Sequence, residues 1–170
     1  MLAMDFPTLV HDADHIVVGT VESQASRWDD RGRIVTDVTL RVEETMKGDR
    51  GTGETLVLTH PGGSIGNVGA HIEGEARFYV GERALVFGAN TNGARPLVRP
   101  VGMSQGVFEI RSLEANPGID MVMPSGVGLA LMQQVTNGRL LPAPPALVEP
   151  RALPQLRTEL RAIIEAPRAH

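Results

Sequence analysis

The run His11-Asp-Ala-Asp-His15 has residue types and spacing that suit a metal ion. Imidazole and carboxylate are zinc ligands, and on a helix His11 and His15 share one face, with Asp14 beside them. A β-strand pattern begins near His15, however, and extended backbone breaks that spacing. The run also lacks the further ligands of a complete zinc signature. His60 and His71, with Glu73 or Glu75, are the residues that would have to complete a site from across the fold. The plainer alternative is a polar lead-in to a sheet, with Asp14 hydrogen-bonded to nearby backbone. Apart from such a divalent metal, no cofactor is expected.

The other chemistry-bearing patterns are weaker still. Pro61-Gly-Gly-Ser-Ile-Gly-Asn-Val-Gly69 offers bare backbone N–H groups to an anion, but lacks the Gly-Lys-[Ser/Thr] ending and a following helix. It reads as an irregular loop over one mouth of a barrel. Ser64 and Ser104 stand outside any G-x-S-x-G elbow. Cysteine is absent, which excludes thiol catalysis, disulfides and thiolate metal sites. Asp29 and Asp30 are turn residues, and Glu43-Glu44 is a solvated strand end. Trp28, the single tryptophan, is either a core anchor or a loop contact residue. The loops holding Trp28 and Gly62, Gly63, Ser64, Gly66 and Asn67 are the candidate contact surface.

The elements that must position these residues are mostly strands. Phe6 to Asp14 predicts a short helical turn with Pro7 at its start and Leu9, Val10 and Ala13 on one side. His15 to Ala25 predicts a strand. Ile34 to Val42 alternates, with Ile34, Thr36, Val38, Leu40 and Val42 on one face. Further strands are expected at Glu54–His60, Ala84–Phe87, Leu97–Val101 and Gly106–Arg111, with turns between them. Such spacing predicts a five- to six-stranded OB-like barrel in a mainly β chain. Beyond Ser112, Leu129 to Val135 predicts a short helix, and Pro142 to Pro150 an extended, unpacked spacer. Pro154 to Glu165 predicts an amphipathic helix with Pro167 as its stop. The implied organisation is a barrel over residues 1–111, an irregular extension over 112–150 and a terminal helix over 151–170.

A chain of 170 residues holds one ordinary domain, and 4% aromatic content leaves the core to Val, Leu, Ile and Met. The formal charge of -4 opposes nucleic-acid binding, which needs a basic surface. No apolar run is long enough to span a membrane as a helix. The start Met-Leu-Ala-Met-Asp carries no basic and apolar leader, which suits either a cytoplasmic protein or an exported one whose signal peptide is not in this sequence. Arginine outnumbers lysine among the basic residues, a bias typical of GC-rich bacterial genomes.

Ala13-Asp-His-Ile-Val-Val-Gly-Thr-Val21, Val42-Glu-Glu-Thr-Met-Lys-Gly48, His60-Pro-Gly-Gly63, Phe78-Tyr-Val-Gly-Glu-Arg83 with Leu85-Val-Phe87, and Val101-Gly-Met-Ser-Gln-Gly106 together resemble a group of bacterial exported proteins. That group is similar in layout to netrin-like domains and tissue inhibitors of metalloproteinases. The resemblance covers residues 8 to 111 and rests on structural motifs. It implies an OB-fold barrel, a periplasmic or extracellular setting and a protein partner, with a metalloprotease the named class. It also implies that Phe6 to His11 lies beside the loops of Trp28 and Gly62–Gly69. Animal inhibitors of this layout use an N-terminal cysteine against the protease zinc, and this chain has no cysteine.

Three functions follow. The first is a non-catalytic interaction module using the loops named above. The second is a metal-dependent enzyme or metal carrier built on His11, Asp14 and His15 with His60 or His71. The third gives the helix from Leu156 to Ile164 the main role, docking on a partner or a second copy.

Overall fold

The computed structural model describes residues 1–115, 117–125 and 130–166. The first helix, α1 (Phe6–Asp12), is started by Asp5, whose carboxylate accepts from the Thr8 N–H at 2.9 Å and the Thr8 hydroxyl at 2.6 Å. Pro7 occupies the first turn, where its missing N–H costs nothing. Strands β1 (His15–Trp28) and β2 (Ile34–Lys47) then form an antiparallel hairpin of 14 residues a side. The Asp29 carboxylate closes it by accepting from the N–H groups of Arg31 and Arg33, and Gly32 supplies the positive φ of 73°.

The chain continues through β3 (Thr55–Pro61), the short hairpin β4 (Gly63–Ile65) and β5 (Val68–Ala70), then β6 (Arg83–Asn90) and β7 (Val98–Pro100). A single 3-10 turn at Met103–Gly106 leads to β8 (Val107–Ser112) and β9 (Asp120–Met123). The small hairpin β10 (Met132–Gln134) and β11 (Leu140–Pro142) precedes β12 (Arg151–Ala152) and the helix α2 (Leu153–Glu165).

Five strands close a barrel in the order β1-β2-β3-β7-β6 and back to β1. Every pair is antiparallel except β3 with β7, which meet in parallel at Leu58 and Val98. Counted along the chain, the ring runs one-two-three-five-four, an OB-like arrangement. With 44% strand, the protein is mainly β. Strands β8, β9 and β12 extend the sheet outward from β6.

Strand alternation gives this sheet two cores. Val17, Val21, Val38, Leu40, Leu58, Phe78 and Val86 fill the barrel. Their neighbours Ile16, Val18, Leu85, Phe87, Phe108 and Val122 point outward and are covered by α1 and α2. Gly88 has no room for a side chain inside the barrel, since a Cβ there would stand 2.7 Å from Val98 and 3.3 Å from Leu58. On α2, Leu153, Leu156 and Leu160 enter the outer core, and the Arg157 guanidinium grips Glu44 of β2 at 2.6 and 2.8 Å. The amphipathic face that suggested an external partner is therefore spent on the chain's own barrel.

Three other expectations are corrected. Met132–Gln134 is a strand, whereas a helix was expected over Leu129 to Val135; Leu129 itself lies outside the described residues. Asn137-Gly138 turns this hairpin, with Gly138 at φ 79°, and Met132 also bridges to Leu2, so strand partners override helical periodicity. The Pro142–Pro150 spacer is irregular but packed, because Leu147 inserts into the outer core and is 2% exposed. Pro61–Gly69 is an ordered hairpin rather than an irregular loop. Pro167 and His170 lie outside the described residues.

Candidate functional site

The helix α1 ends at Ala13, whose ψ of 136° turns the chain into β1. That change separates the two histidines of the metal-like run. His11 is exposed on the helix and donates to the Asp12 carboxylate at 2.8 Å. His15 is buried in the strand, with Nε2 bonded to Oδ1 of Asn90 at 2.9 Å. Asp14 accepts from the Asn90 N–H at 2.7 Å. Together Asp14, His15 and Asn90 fasten the start of β1 to the end of β6. Nδ1 of His15 is buried with no hydrogen-bond partner among the described residues.

His60 and His71 belong to later segments of the chain. His60, on β3, donates from Nδ1 to the Pro61 carbonyl at 2.9 Å, and its ring lies against Phe78 with centroids 5.9 Å apart. His71 and Glu73 are exposed beyond β5, while Glu75 is half-buried. Burial pushes the Glu75 carboxyl above its ordinary range, against smaller opposing effects of the Ala76 N–H, His60 and Arg99. Among the described residues no three His, Cys, Asp or Glu side chains gather in a way that would hold a metal.

The glycine-rich stretch is pinned to the barrel by its own backbone. The Gly62 N–H donates to the Ile34 carbonyl at 2.9 Å, and the Gly62 carbonyl accepts from the Thr36 hydroxyl at 2.7 Å. Gly63 adopts φ 130°, and a Cβ there would collide with the hydroxyl oxygens of Thr36 and Ser26. The Ser64 N–H reaches Ser26 Oγ at 3.3 Å. Gly66 and Asn67 form the exposed two-residue tip between the paired Ile65 and Val68. This Ile-Gly-Asn-Val pattern is a legible hairpin signal.

Folding the hairpin onto β1 and β2 creates an open depression of about 540 Å³ between it and the segment 76–79. Gln24, Ser26, Thr36 and His60 supply its polar lining, and Tyr79 forms a wall. On the other side of Tyr79 lies a second cleft of about 450 Å³, lined by Val21, Phe78, Ala84 and Val107 with Arg77 and Arg111. Gln24 ties the dividing segment to β1 by donating to the Phe78 carbonyl at 2.6 Å.

Large apolar side chains are exposed around these openings. Trp28 is 51% exposed, Tyr79 56% and Val80 63%, joined by Val68 and Ile72 on and after the hairpin. The segments that carry them are linked through the backbone and the depression. Trp28 pairs with Ile34, Ile34 bonds Gly62, Gly62 packs near Ile72, and the depression joins Gly63 and Ser64 to Tyr79. Trp28 is thus a surface residue. Tyr79, Val80, Arg77 and Gln24 belong to this site too, although the sequence marks Phe78-Tyr-Val-Gly-Glu-Arg83 as a structural motif and not as a contact surface. The segment Phe6 to His11 is not beside these loops, because α1 enters β1 at His15 and Trp28 is at the strand's far end.

Comparison with protein-family models, with curated proteins and with solved structures found no match to this chain.

Proposed function

We propose that this chain is a non-catalytic interaction module of an exported bacterial protein, holding another protein at the Trp28 end of its barrel. One observation carries the reading: the exposed aromatic side chains Trp28 and Tyr79, with Val68, Ile72 and Val80, stand on the segments that form a backbone-pinned hairpin and an open, polar-lined depression. Large apolar groups cost free energy in water, and a rim of them around a preformed surface is the usual mark of a protein contact. Aromatic residues at such positions contribute most of the binding energy per residue. The resemblance to netrin-like barrels makes a metalloprotease the first partner class to try. With no cysteine in the chain, the contact would run through this rim rather than through an N-terminal thiol and amine.

The test is capture from a periplasmic or culture-fluid extract on immobilised protein, beside a Trp28→Ala/Tyr79→Ala variant. A defined partner held by the wild type and reduced at least tenfold by the variant is the expected outcome. Equal recovery by both proteins, or substrate turnover proportional to the amount of purified chain, would overturn the reading. If the partner is a metalloprotease, its activity should fall to a stoichiometric end point as wild-type protein is titrated in.

A further inference from the structure

Half of β1 has an open backbone edge. Strand β6 pairs with β1 only from His15 to Thr20, and Val21 is bonded beyond it, donating to the Glu82 carbonyl at 2.9 Å and accepting from the Gly81 N–H at 2.8 Å. From Glu22 to Trp28, β2 is the only strand paired in the ladder with β1 among the described residues, while β4 lies over the inner face at Ser26. All but one of these residues are exposed. Successive N–H and C=O groups of a strand alternate between its two edges, so this stretch presents bare donors and acceptors along about 20 Å. It contains no proline or lysine to block pairing. It carries a register shift between Val21 and Ser23 and the two charges of Glu22 and Arg27, tied to Arg41 and Asp37 of β2, while Phe78 and Ser64 are held over its inner face by Gln24 and Ser26.

Resting on the interaction-module reading, we infer that the partner is bound as an extended strand, added to the Glu22–Trp28 edge of β1. Main-chain hydrogen bonds would supply affinity, and alternate side chains specificity. Gln24 and Ser26, opposite the buried Val38 and Thr36, mark the inner face of this arm and line the 540 Å³ depression. An added strand therefore stands every second side chain beside that opening. Arg77 lines both openings and has no ion pair among the described residues, so an acidic side chain fits there. Tyr79 and Trp28 offer apolar contact along and at the end of the edge. The occupant is an extended, alternating segment of another protein with a carboxylate at an inward position. A second copy of this chain fits less well: the edge is short and its own side chains are mostly polar, whereas a stable dimer needs on the order of 1,000 Å² of well-packed surface.

The probe is a displayed library of twelve-residue peptides panned on the full chain, with the best binder synthesised. Binding is expected to slow amide exchange across residues 23–27. Gln24→Pro and Ala25→Pro are both made, because one of these adjacent N–H groups faces the open edge and its loss leaves the β1–β2 ladder whole. The variant that keeps wild-type melting should bind at least tenfold more weakly, and Arg77→Gln several-fold more weakly. Exchange protection elsewhere, or undiminished binding by the folded proline variant, overturns strand addition. If such a peptide is still lost by Trp28→Ala/Tyr79→Ala, the rim reading survives alone. No enriched peptide, or edge protection without peptide and a mass twice the 18.2 kDa of one chain, also overturns the inference.

Discussion

Glu75 responds to pH in the opposite direction to Asp37, Glu43 and Asp120. Burial raises the Glu75 carboxyl above its ordinary value of 4.5, so its ionised form is disfavoured in the folded state. Its favourable contribution is complete below the unfolded value and is lost as pH rises through the folded one. Glu75→Gln should therefore raise the melting temperature at pH 7 and leave it unchanged well below pH 4.5. A variant melting lower at pH 7 would show that Glu75 makes a contact beyond these. Asp120 behaves conversely, its carboxyl held down chiefly by the Arg83 guanidinium. For Asp37 and Glu43, burial works upward, but Arg27 with Thr59, and Arg83 with Thr20, outweigh it and hold both carboxyls low. Stability from these three is present above their unfolded values of 3.8 to 4.5 and lost as pH falls through the folded ones. The wild type should thus lose thermal stability as pH falls below about 4.

At the scale of elements, α1 is too short to persist alone and depends on its cap and its burial. Asp5→Ala removes the acceptor of the Thr8 N–H and should cost about 1 kcal/mol by denaturant unfolding, with Asp5→Asn restoring most of it. The hairpins show how close backbone approach selects glycine. Gly63 is required where Ser26 and Thr36 bring their hydroxyls against the chain. The helical start of α1, the alternation in β2 and the spacing of α2 are legible in the sequence, since each is a local period matched by a local signal. The strand Met132–Gln134 is hidden from local periodicity because its partners, Leu2 and Leu140–Pro142, are remote or follow a turn. Trp28's exposure was likewise invisible, because it depends on what the rest of the chain leaves uncovered.

For the whole molecule, the outer core makes the C-terminal segment part of the barrel's stability. Leu156 and Leu160 are fully buried against α1 and the sheet. Leu156→Ala should cost about 2–5 kcal/mol, read from the denaturant midpoint. Removing residues 151–170 would expose the outward face of β1, β6, β8 and β9, and the truncated chain should aggregate or bind a hydrophobic dye. A truncated chain that melts like the full one would show that the outer core contributes little.

The sequence by itself determined the β-rich class, the first hairpin, the two helices and the exclusion of thiol chemistry, because these follow from periods and residue types along the chain. Only the tertiary structure decided that His11 and His15 face different surroundings, that α2 is consumed internally and that Trp28, Tyr79 and a bare edge of β1 share one end. Those are questions of which distant segments meet. Barrel closure answers them by pairing β1 with β6 and β3 with β7, contacts separated by tens of residues that no local pattern encodes.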